Sequence, residues 1–209
     1  SFTCDSGVLS ISGQGEMTNF KKESEKPWCK IIESITIIII SNGVTSIGSY
    51  SFDSFSNLES VTIPGSVTSI GKYSFCYCTA LESITIPEGV TSIGNCVFHA
   101  CSNLKSISIP RSVTPIGEYA FDYCTNLQRV AIPGAVKSIK NYTFNYCASL
   151  LDISIPETVT IIQSYAFYSC SSLQSITIPG NVESFGSNAF YECSSLKSIE
   201  IPRSVTLIS

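Results

Sequence analysis

The chain has 209 residues, of which 44% are hydrophobic and 13% are charged, and its formal net charge is −4 at pH 7. Low charge with high hydrophobicity argues against intrinsic disorder, and the slight acidic excess offers no basic surface for nucleic acid. A membrane span needs roughly 18 consecutive apolar residues. The run Ile35–Ile40 is far shorter, so we expect a folded domain without membrane insertion.

Residues 1–34 differ from the rest of the chain, which is repetitive. They contain Cys4, several glycines and the sequence Pro27-Trp28-Cys29. The stretch Val8–Ser12 has the alternation of a short strand. Because stacked repeats leave their first strand exposed, we interpret residues 1–34 as an N-terminal cap whose strand covers that edge.

From residue 35 to residue 209 the sequence repeats every 23 residues. One unit, Leu81–Asn103, reads LESITIPEGVTSIGNCVFHACSN. Leucine, proline, phenylalanine and cysteine each recur at a fixed position, which chance does not explain. One unit cannot bury its own apolar face, so successive units must stack into a continuous core. The cysteine row is Cys78, Cys101, Cys124, Cys147, Cys170 and Cys193.

The hydrophobic pattern of one unit predicts two extended stretches and a tight turn. Ile84-Thr85-Ile86 alternates like a half-buried strand, and Pro87 ends the pairing because it lacks an amide proton. Val90 and Ile93 point inward from a second extended stretch. The apolar residues around Phe98 and Cys101 are spaced by three, which favours one helical or 3-10 turn. The predicted fold class is a mainly β solenoid with a parallel sheet.

The last unit is incomplete. Residues 35–209 hold about seven and a half units, and no cap follows them. Both chain ends look like the ends of a fragment. The open last edge predicts either that the natural protein continues or that the fragment self-associates through this edge.

The cysteines and the single histidine give no pattern of a catalytic or metal site. Cysteines 23 residues apart lack metal-ligand spacing, and buried thiols behave as small inert hydrophobes. Cys4 and Cys29 both lie in the cap, where a disulfide and two free thiols are equally compatible with the sequence. His99 is expected on the surface, with no serine elbow and no clustered carboxylates. We therefore expect neither enzymatic activity nor a cofactor.

The unit resembles the BspA-like leucine-rich repeat, also called the Treponema pallidum type. The resemblance rests on the motif L-x-S-I-x-I-P, then V-T-S-I-G, then F-x-x-C-x-x-L, over about residues 35–209. Lys140 and Gln163 depart from it by replacing the turn glycine, and Phe55 replaces the first ladder cysteine. The resemblance implies a leucine-rich-repeat solenoid. It also implies an extracellular or cell-surface protein that adheres to host matrix proteins or to other cells.

Two surfaces are candidates for binding. The concave sheet is a hydroxyl-rich face, and residues that depart from the repeat are where specificity would lie. For any single one of them, neutral variation on a solvated face is the favoured explanation. The convex side carries tyrosines, which either form a contact patch or merely stack on one another. The concave candidates are Arg129, Leu151, Asp152 and Glu200. The convex candidates are Tyr77, Tyr123, Tyr146, Tyr168 and Tyr191.

Three functional hypotheses remain open, and the resemblance implies the first of them. The first is a non-enzymatic adhesion module for a matrix or cell-surface protein. The second is a structural module that polymerises through its open end, and the third is a receptor-type ectodomain with one protein partner. Concentration-dependent assembly would distinguish the second, and one stoichiometric partner with energy in a few residues would distinguish the third.

Overall fold

The computed structural model describes all residues 1–209 and shows a parallel β-solenoid of about seven coils with about 23 residues each. Each coil has three sides. Two sides are short strands that stack on the equivalent strands of neighbouring coils, forming a first and a second sheet. The third side consists of turns and is called the turn side below. The predicted fold class is confirmed.

The N-terminal segment supplies strands to both sheets. Its strands are β1 (Phe2–Asp5), β2 (Val8–Ile11) and β3 (Gly15–Glu16), followed by two single 3-10 turns, Glu23–Glu25 and Ile32–Ser34. β2 lies parallel to the first strand of the repeats and covers its edge, and β1 folds back antiparallel on β2. These 3-10 turns are too short to cross a bilayer, and the structure contains no helix that is longer than they are.

The strands of the repeats fall into two rows. The first sheet contains β4 (Ile37–Ile40), β6 (Ser60–Thr62), β8 (Ser83–Thr85), β10 (Ser106–Ser108), β11 (Arg129–Ala131) and β13 (Asp152–Ser154). Its ladder is interrupted once, because β6 and β8 lie on neighbouring coils without ladder pairing. The second sheet contains β5 (Val44–Ile47), β7 (Ser69–Ile70), β9 (Ser92–Ile93), β12 (Ser138–Ile139), β14 (Ile161–Ile162), β15 (Ser184–Phe185) and β16 (Leu207–Ile208).

Each strand of the first sheet turns one face inward. In β8, Ile84 is buried while Ser83 and Thr85 are exposed, as the alternation in the sequence predicts. β8, β10, β11 and β13 share this pattern of one buried residue between two exposed ones.

The turn side differs from the sequence prediction. The expected helical or 3-10 turn around Phe98 and Cys101 is absent, because Cys96 and Ala100 adopt left-handed backbone angles that interrupt a helix. Alternate amides of each turn instead bond to the next coil, as from Cys96 to Glu118 O (2.9 Å) and from Phe98 to Ala120 O (2.9 Å). The turn side is therefore a third laterally bonded face.

The core runs along the solenoid as stacked rows of side chains. The phenylalanine row from Phe52 to Phe190 stacks with ring centroids 5.3–5.8 Å apart. Trp28 of the cap continues this row by stacking on Phe52 at 5.6 Å, and its indole donates to Ser51 O. Lys26 beside it is almost fully buried and pairs with Asp53, a contact that the sequence analysis did not anticipate.

Candidate interaction surfaces

The outward face of the first sheet is rich in hydroxyl groups and poor in charge. Charged or large apolar side chains on this face are therefore the exceptions. Glu82 and Lys105, on neighbouring coils, form an ion pair of 2.9 Å, and both are more than half exposed. An exposed pair of this kind contributes little stability, so both groups are available to a partner.

Three of the four predicted concave residues lie together. Arg129 and Asp152 are register partners on β11 and β13, and Leu151 precedes Asp152 in the chain. All three are exposed, and neither charged group takes part in an ion pair. Glu200 is also exposed but lies two coils further along, at the repeat position of Ser154, so it is more than about 10 Å from Asp152 at the usual strand spacing. The cluster is thus Arg129, Leu151 and Asp152, without Glu200.

The tyrosines of the turn side form two stacked rows. In one row, Tyr119, Tyr142 and Tyr165 stack at 4.6 and 4.7 Å. In the other, Tyr123 stacks on Tyr146 at 4.5 Å. Tyr146 contacts Tyr168 at 5.6 Å, and Tyr168 stacks on Tyr191 at 5.3 Å. The second row consists of Tyr123, Tyr146, Tyr168 and Tyr191.

The two rows join into one aromatic surface. Tyr165 of the first row contacts Tyr168 of the second at 5.6 Å. Tyr123 and Tyr191 are exposed, while Tyr146 and Tyr168 are half-buried between neighbours. Partial desolvation, followed by the charge interaction with Tyr146, raises the pKa of Tyr123 above its ordinary value. Stacking between coils occupies most ring faces and leaves ring edges and hydroxyls to contact a partner.

His99 is not the isolated surface residue that the sequence analysis expected. Its Nδ1 lies 2.8 Å from Asp122 Oδ2, and its Nε2 lies 3.3 Å from the Tyr77 hydroxyl. Asp122 is buried and also accepts a hydrogen bond from Asn145 Nδ2 at 2.7 Å. These residues share one position of the repeat, since His99, Asp122 and Asn145 are 23 residues apart; this spacing was the available signal.

This network does not form a catalytic triad. No serine hydroxyl or cysteine thiol is hydrogen-bonded to either nitrogen of His99, so no nucleophile is activated there. No group of three or more His, Cys, Asp and Glu side chains is arranged to hold a metal ion. The arrangement of His99, Asp122, Asn145 and Tyr77 ties neighbouring coils together.

The cysteine ladder has a structural role. Each ladder thiol is buried and donates to the carbonyl of a phenylalanine 26 residues earlier, as from Cys101 Sγ to Phe75 O at 3.1 Å. Burial raises the pKa of Cys101 far above its usual range and that of Cys193 to about 11. Thiols held protonated are poor nucleophiles and poor metal ligands.

The cysteines outside the ladder differ in accessibility. Cys76 and Cys96 are buried, whereas Cys4 is exposed and Cys29 is half-buried, and all four are free thiols in the structure. Phe2, which shares a face of β1 with Cys4, contacts Trp28, the neighbour of Cys29. The disulfide between Cys4 and Cys29 stays a prediction.

The family can be assigned from the repeats. Residues 28–150 and 114–209 match the model of the BspA type leucine-rich repeat region, which describes six copies of the repeat. The chain belongs to the BspA-type leucine-rich repeat family. Proteins built from leucine-rich repeats generally bind other proteins and are typically scaffolds without enzymatic activity. No curated protein sequence matches this BspA-type chain.

Solved structures share the BspA-type fold seen here. A leucine-rich repeat protein of Treponema pallidum is similar with a TM-score of 0.73 and 26% identity, over 95% of this chain and 88% of that one. One from Eubacterium ventriosum has a TM-score of 0.53 and 22% identity, over 99% and 90%. The pneumococcal vaccine antigen PcpA has a TM-score of 0.55 and 19% identity, over 83% and 54%.

Proposed function

We propose that this protein is a non-enzymatic adhesion module at the cell surface or outside the cell, which binds an extracellular matrix or cell-surface protein. The observation that supports this most is the cluster of Arg129, Leu151 and Asp152. It combines two charges that form no ion pair and one exposed apolar side chain on a face where small hydroxyl groups predominate.

The cluster suits the contact centre of a protein interface. Arginine is one of the residue types enriched among those that dominate binding energy, and Leu151 adds exposed apolar area beside it. The Glu82–Lys105 pair lies on the next coils of the same face and can form a polar rim. Because ladder pairing holds β11 to β13, little conformational entropy is lost when the part of the surface that carries Arg129 and Asp152 binds.

The test is binding of the monomeric protein to immobilised fibronectin, fibrinogen and laminin at physiological salt. We expect saturable binding to at least one of them. Arg129→Ala/Asp152→Ala should weaken it by roughly tenfold or more, as for residues at an interface centre. Ser83→Ala/Thr85→Ala is the matched control, since it changes two exposed residues of the same face on β8. Absence of binding, or equal loss in the control, would contradict the proposal.

Self-association is the second candidate function. Ile201, Leu207 and Ile208 on the last coil are each more than half exposed, which is an apolar edge that a second molecule could cover. Light scattering at increasing concentration distinguishes the two functions. A mass that grows with concentration, and that Leu207→Lys/Ile208→Lys abolishes, would favour the structural module. A constant monomer mass would contradict it.

A receptor-type ectodomain would also use the first-sheet face. It differs from the adhesion module in its partner, which would be one protein bound at fixed stoichiometry rather than a matrix. A stable monomer that binds none of the three matrix proteins would favour this hypothesis.

A further inference from the structure

One contact between successive coils lacks the lateral hydrogen bonds of the second sheet. At the other contacts of this sheet two amides of each coil bond to the coil before, as from Thr160 to Lys137 O (2.9 Å) and from Gln163 to Ile139 O (2.9 Å). Each of these contacts has one such amide at the repeat position of Thr160. The residues at this position that donate to the coil before are Thr68, Thr91, Thr114, Thr160, Glu183 and Thr206. We call the contact between residues 114–117 and 137–140 the joint.

At the joint the equivalent bonds are missing. The amides of Lys137 and Lys140 have no backbone acceptor in the preceding coil, and the amide of Ile116 donates to no carbonyl of the following coil. The second sheet accordingly stops at an isolated bridge between Ile93 and Ile116 and starts again at β12. A small void of about 10 Å³ lies between the two segments, lined by residues that include Ile116 and Ile139.

The first sheet is also weakened between these two coils. β10 and β11 pair through Ser106 and Arg129 alone, whereas β8 with β10 and β11 with β13 each pair through three positions. The first sheet is interrupted elsewhere too, since β6 and β8 have no ladder pairing, so the loss that is particular to the joint is the one in the second sheet.

The sequence explains why the coils separate here. Successive coils approach closely at the turn glycines, where a Cβ added to Gly117 would lie 2.3 Å from Gly94 O. Lys140 brings a Cβ to this position, and it faces the coil in which Pro115 replaces the usual serine. Gln163 also carries a Cβ but still pairs, so the loss of the glycine alone does not open the contact. The joint is where a proline on one coil meets a non-glycine residue on the next.

The turn side remains closed at the joint. The amides of Tyr119 and Phe121 bond to Asn141 O (3.1 Å) and Thr143 O (2.9 Å) across it. Side chains add two further links, from Asn141 Nδ2 to Glu118 Oε1 (3.1 Å) and from Asn145 Nδ2 to Asp122 Oδ1 (2.7 Å). The tyrosine stack crosses the joint as well.

We propose that the joint is a hinge at which the solenoid bends by opening the second sheet, with the turn side as its axis. The two halves on either side then move as separate units, because the coils within each half keep the lateral bonds of the second sheet. Lys105 lies on one half and Arg129 on the other, so bending changes the spacing of these two cations on the first-sheet face. The hinge does not depend on the identity of any ligand.

Amide hydrogen exchange of the whole protein tests whether the second-sheet hydrogen bonds are missing at the joint. We expect the amides of Ile116, Lys137 and Lys140 to exchange roughly 100-fold faster than those of Ile93, Thr160 and Gln163, because exchange follows local opening. Equal exchange rates in the two sets would overturn the proposal, and this comparison needs no variant.

Distances between spin labels test the bending itself. Labels at Thr91→Cys and Glu183→Cys, both exposed, report across the joint in a Cys4→Ser/Cys29→Ser background. We expect a broad distance distribution that narrows when Pro115→Ser/Lys140→Gly restores the repeat sequence. Gln163→Gly is the matched control and should leave the width of the distance distribution unchanged. A distribution equally narrow in the starting protein and in the restored variant would overturn the hinge.

Discussion

The Cys124 thiol donates a hydrogen bond to the carbonyl oxygen of Phe98, which lies on the preceding coil, at 3.1 Å. The same Phe98 stacks on Phe121 of the next coil at 5.6 Å. The carbonyl oxygen of Phe98 also accepts a hydrogen bond from the amide of Cys101 in its own turn. The Cys124 thiol therefore bonds to the second lone pair of this oxygen. The cysteine ladder thus stabilises the contact between coils.

Removal of one ladder thiol should lower stability moderately. Cys124→Ala deletes a buried sulfur and leaves the Phe98 carbonyl with one bond fewer. We expect the free energy of unfolding to fall by about 1–3 kcal/mol, from the combined loss of packing and of a hydrogen bond. Denaturant unfolding followed by circular dichroism measures this change. Cys4→Ala is the control and should change stability by less than about 0.5 kcal/mol, because Cys4 is exposed.

Stability should fall at alkaline pH. Burial raises the pKa of Cys76 to about 12 and that of Cys193 to about 11, above the ordinary value of 9.0. Because the folded state holds these protons more tightly than the unfolded state, their contribution is complete below about pH 9 and declines as the pH rises towards 11–12. Urea unfolding between pH 7 and pH 11 should show this decline.

A double variant separates the thiols from other alkaline effects. Cys76→Ala/Cys193→Ala should give a shallower decline of unfolding free energy with pH. Cys4→Ser should leave the slope as it is in the starting protein. A slope that the double variant does not alter would contradict the assignment to buried thiols.

The accessible thiols should number two in the native protein. Only Cys4 and Cys29 are not buried, while all ten cysteines are free in the structure. A thiol-reactive dye should therefore label two cysteines before unfolding and ten after it under reducing conditions. If the predicted disulfide between Cys4 and Cys29 forms under oxidising conditions, native labelling should fall to zero and reductant should restore it. Native labelling of ladder cysteines would contradict the buried ladder.

The cap should depend on its buried ion pair. The ammonium group of Lys26 is fully buried, pairs with the Asp53 carboxylate and donates to Asp53 O at 3.0 Å. Lys26→Met leaves Asp53 without its cation, and we expect a loss of about 3 kcal/mol in the free energy of unfolding. Fluorescence of the single tryptophan, Trp28, follows the unfolding of this region.

The matched control neutralises both partners. Lys26→Met/Asp53→Asn should recover part of the lost stability, since it leaves no unpaired buried charge. If Lys26→Met alone has no effect, the cap does not rely on this pair.

The sequence was most informative where every repeat carries the same residue type. The period of 23 and the Ile84-Thr85-Ile86 alternation predict the stacked coils and the first sheet, because both depend on burial alone. The turn conformation could not be predicted in this way. Tyr73 and Tyr77 adopt positive φ angles that bulky side chains rarely take, and lateral hydrogen bonds to the next coil hold them there.

Contacts between different coils were the least accessible to sequence reasoning. His99 and Asp122 occupy the same position of adjacent repeats, yet their hydrogen bond requires that this position face its equivalent across the stack. Lys140 was recognisable as a departure from the repeat, but its consequence depends on Pro115 in the neighbouring coil. The side-by-side placement of Arg129 and Asp152 also follows from register, which the period predicts once stacking is assumed.

The central claim is that the first-sheet face, rather than the tyrosine surface, contacts the protein partner. The most direct test compares the dissociation constants of Arg129→Ala/Asp152→Ala and Tyr123→Ala/Tyr146→Ala for the same immobilised matrix protein, with the monomeric state verified for both. We predict that the first variant binds roughly tenfold more weakly or worse and that the second stays within about twofold of the starting protein. A loss confined to the tyrosine variant would contradict the claim and assign binding to the turn side.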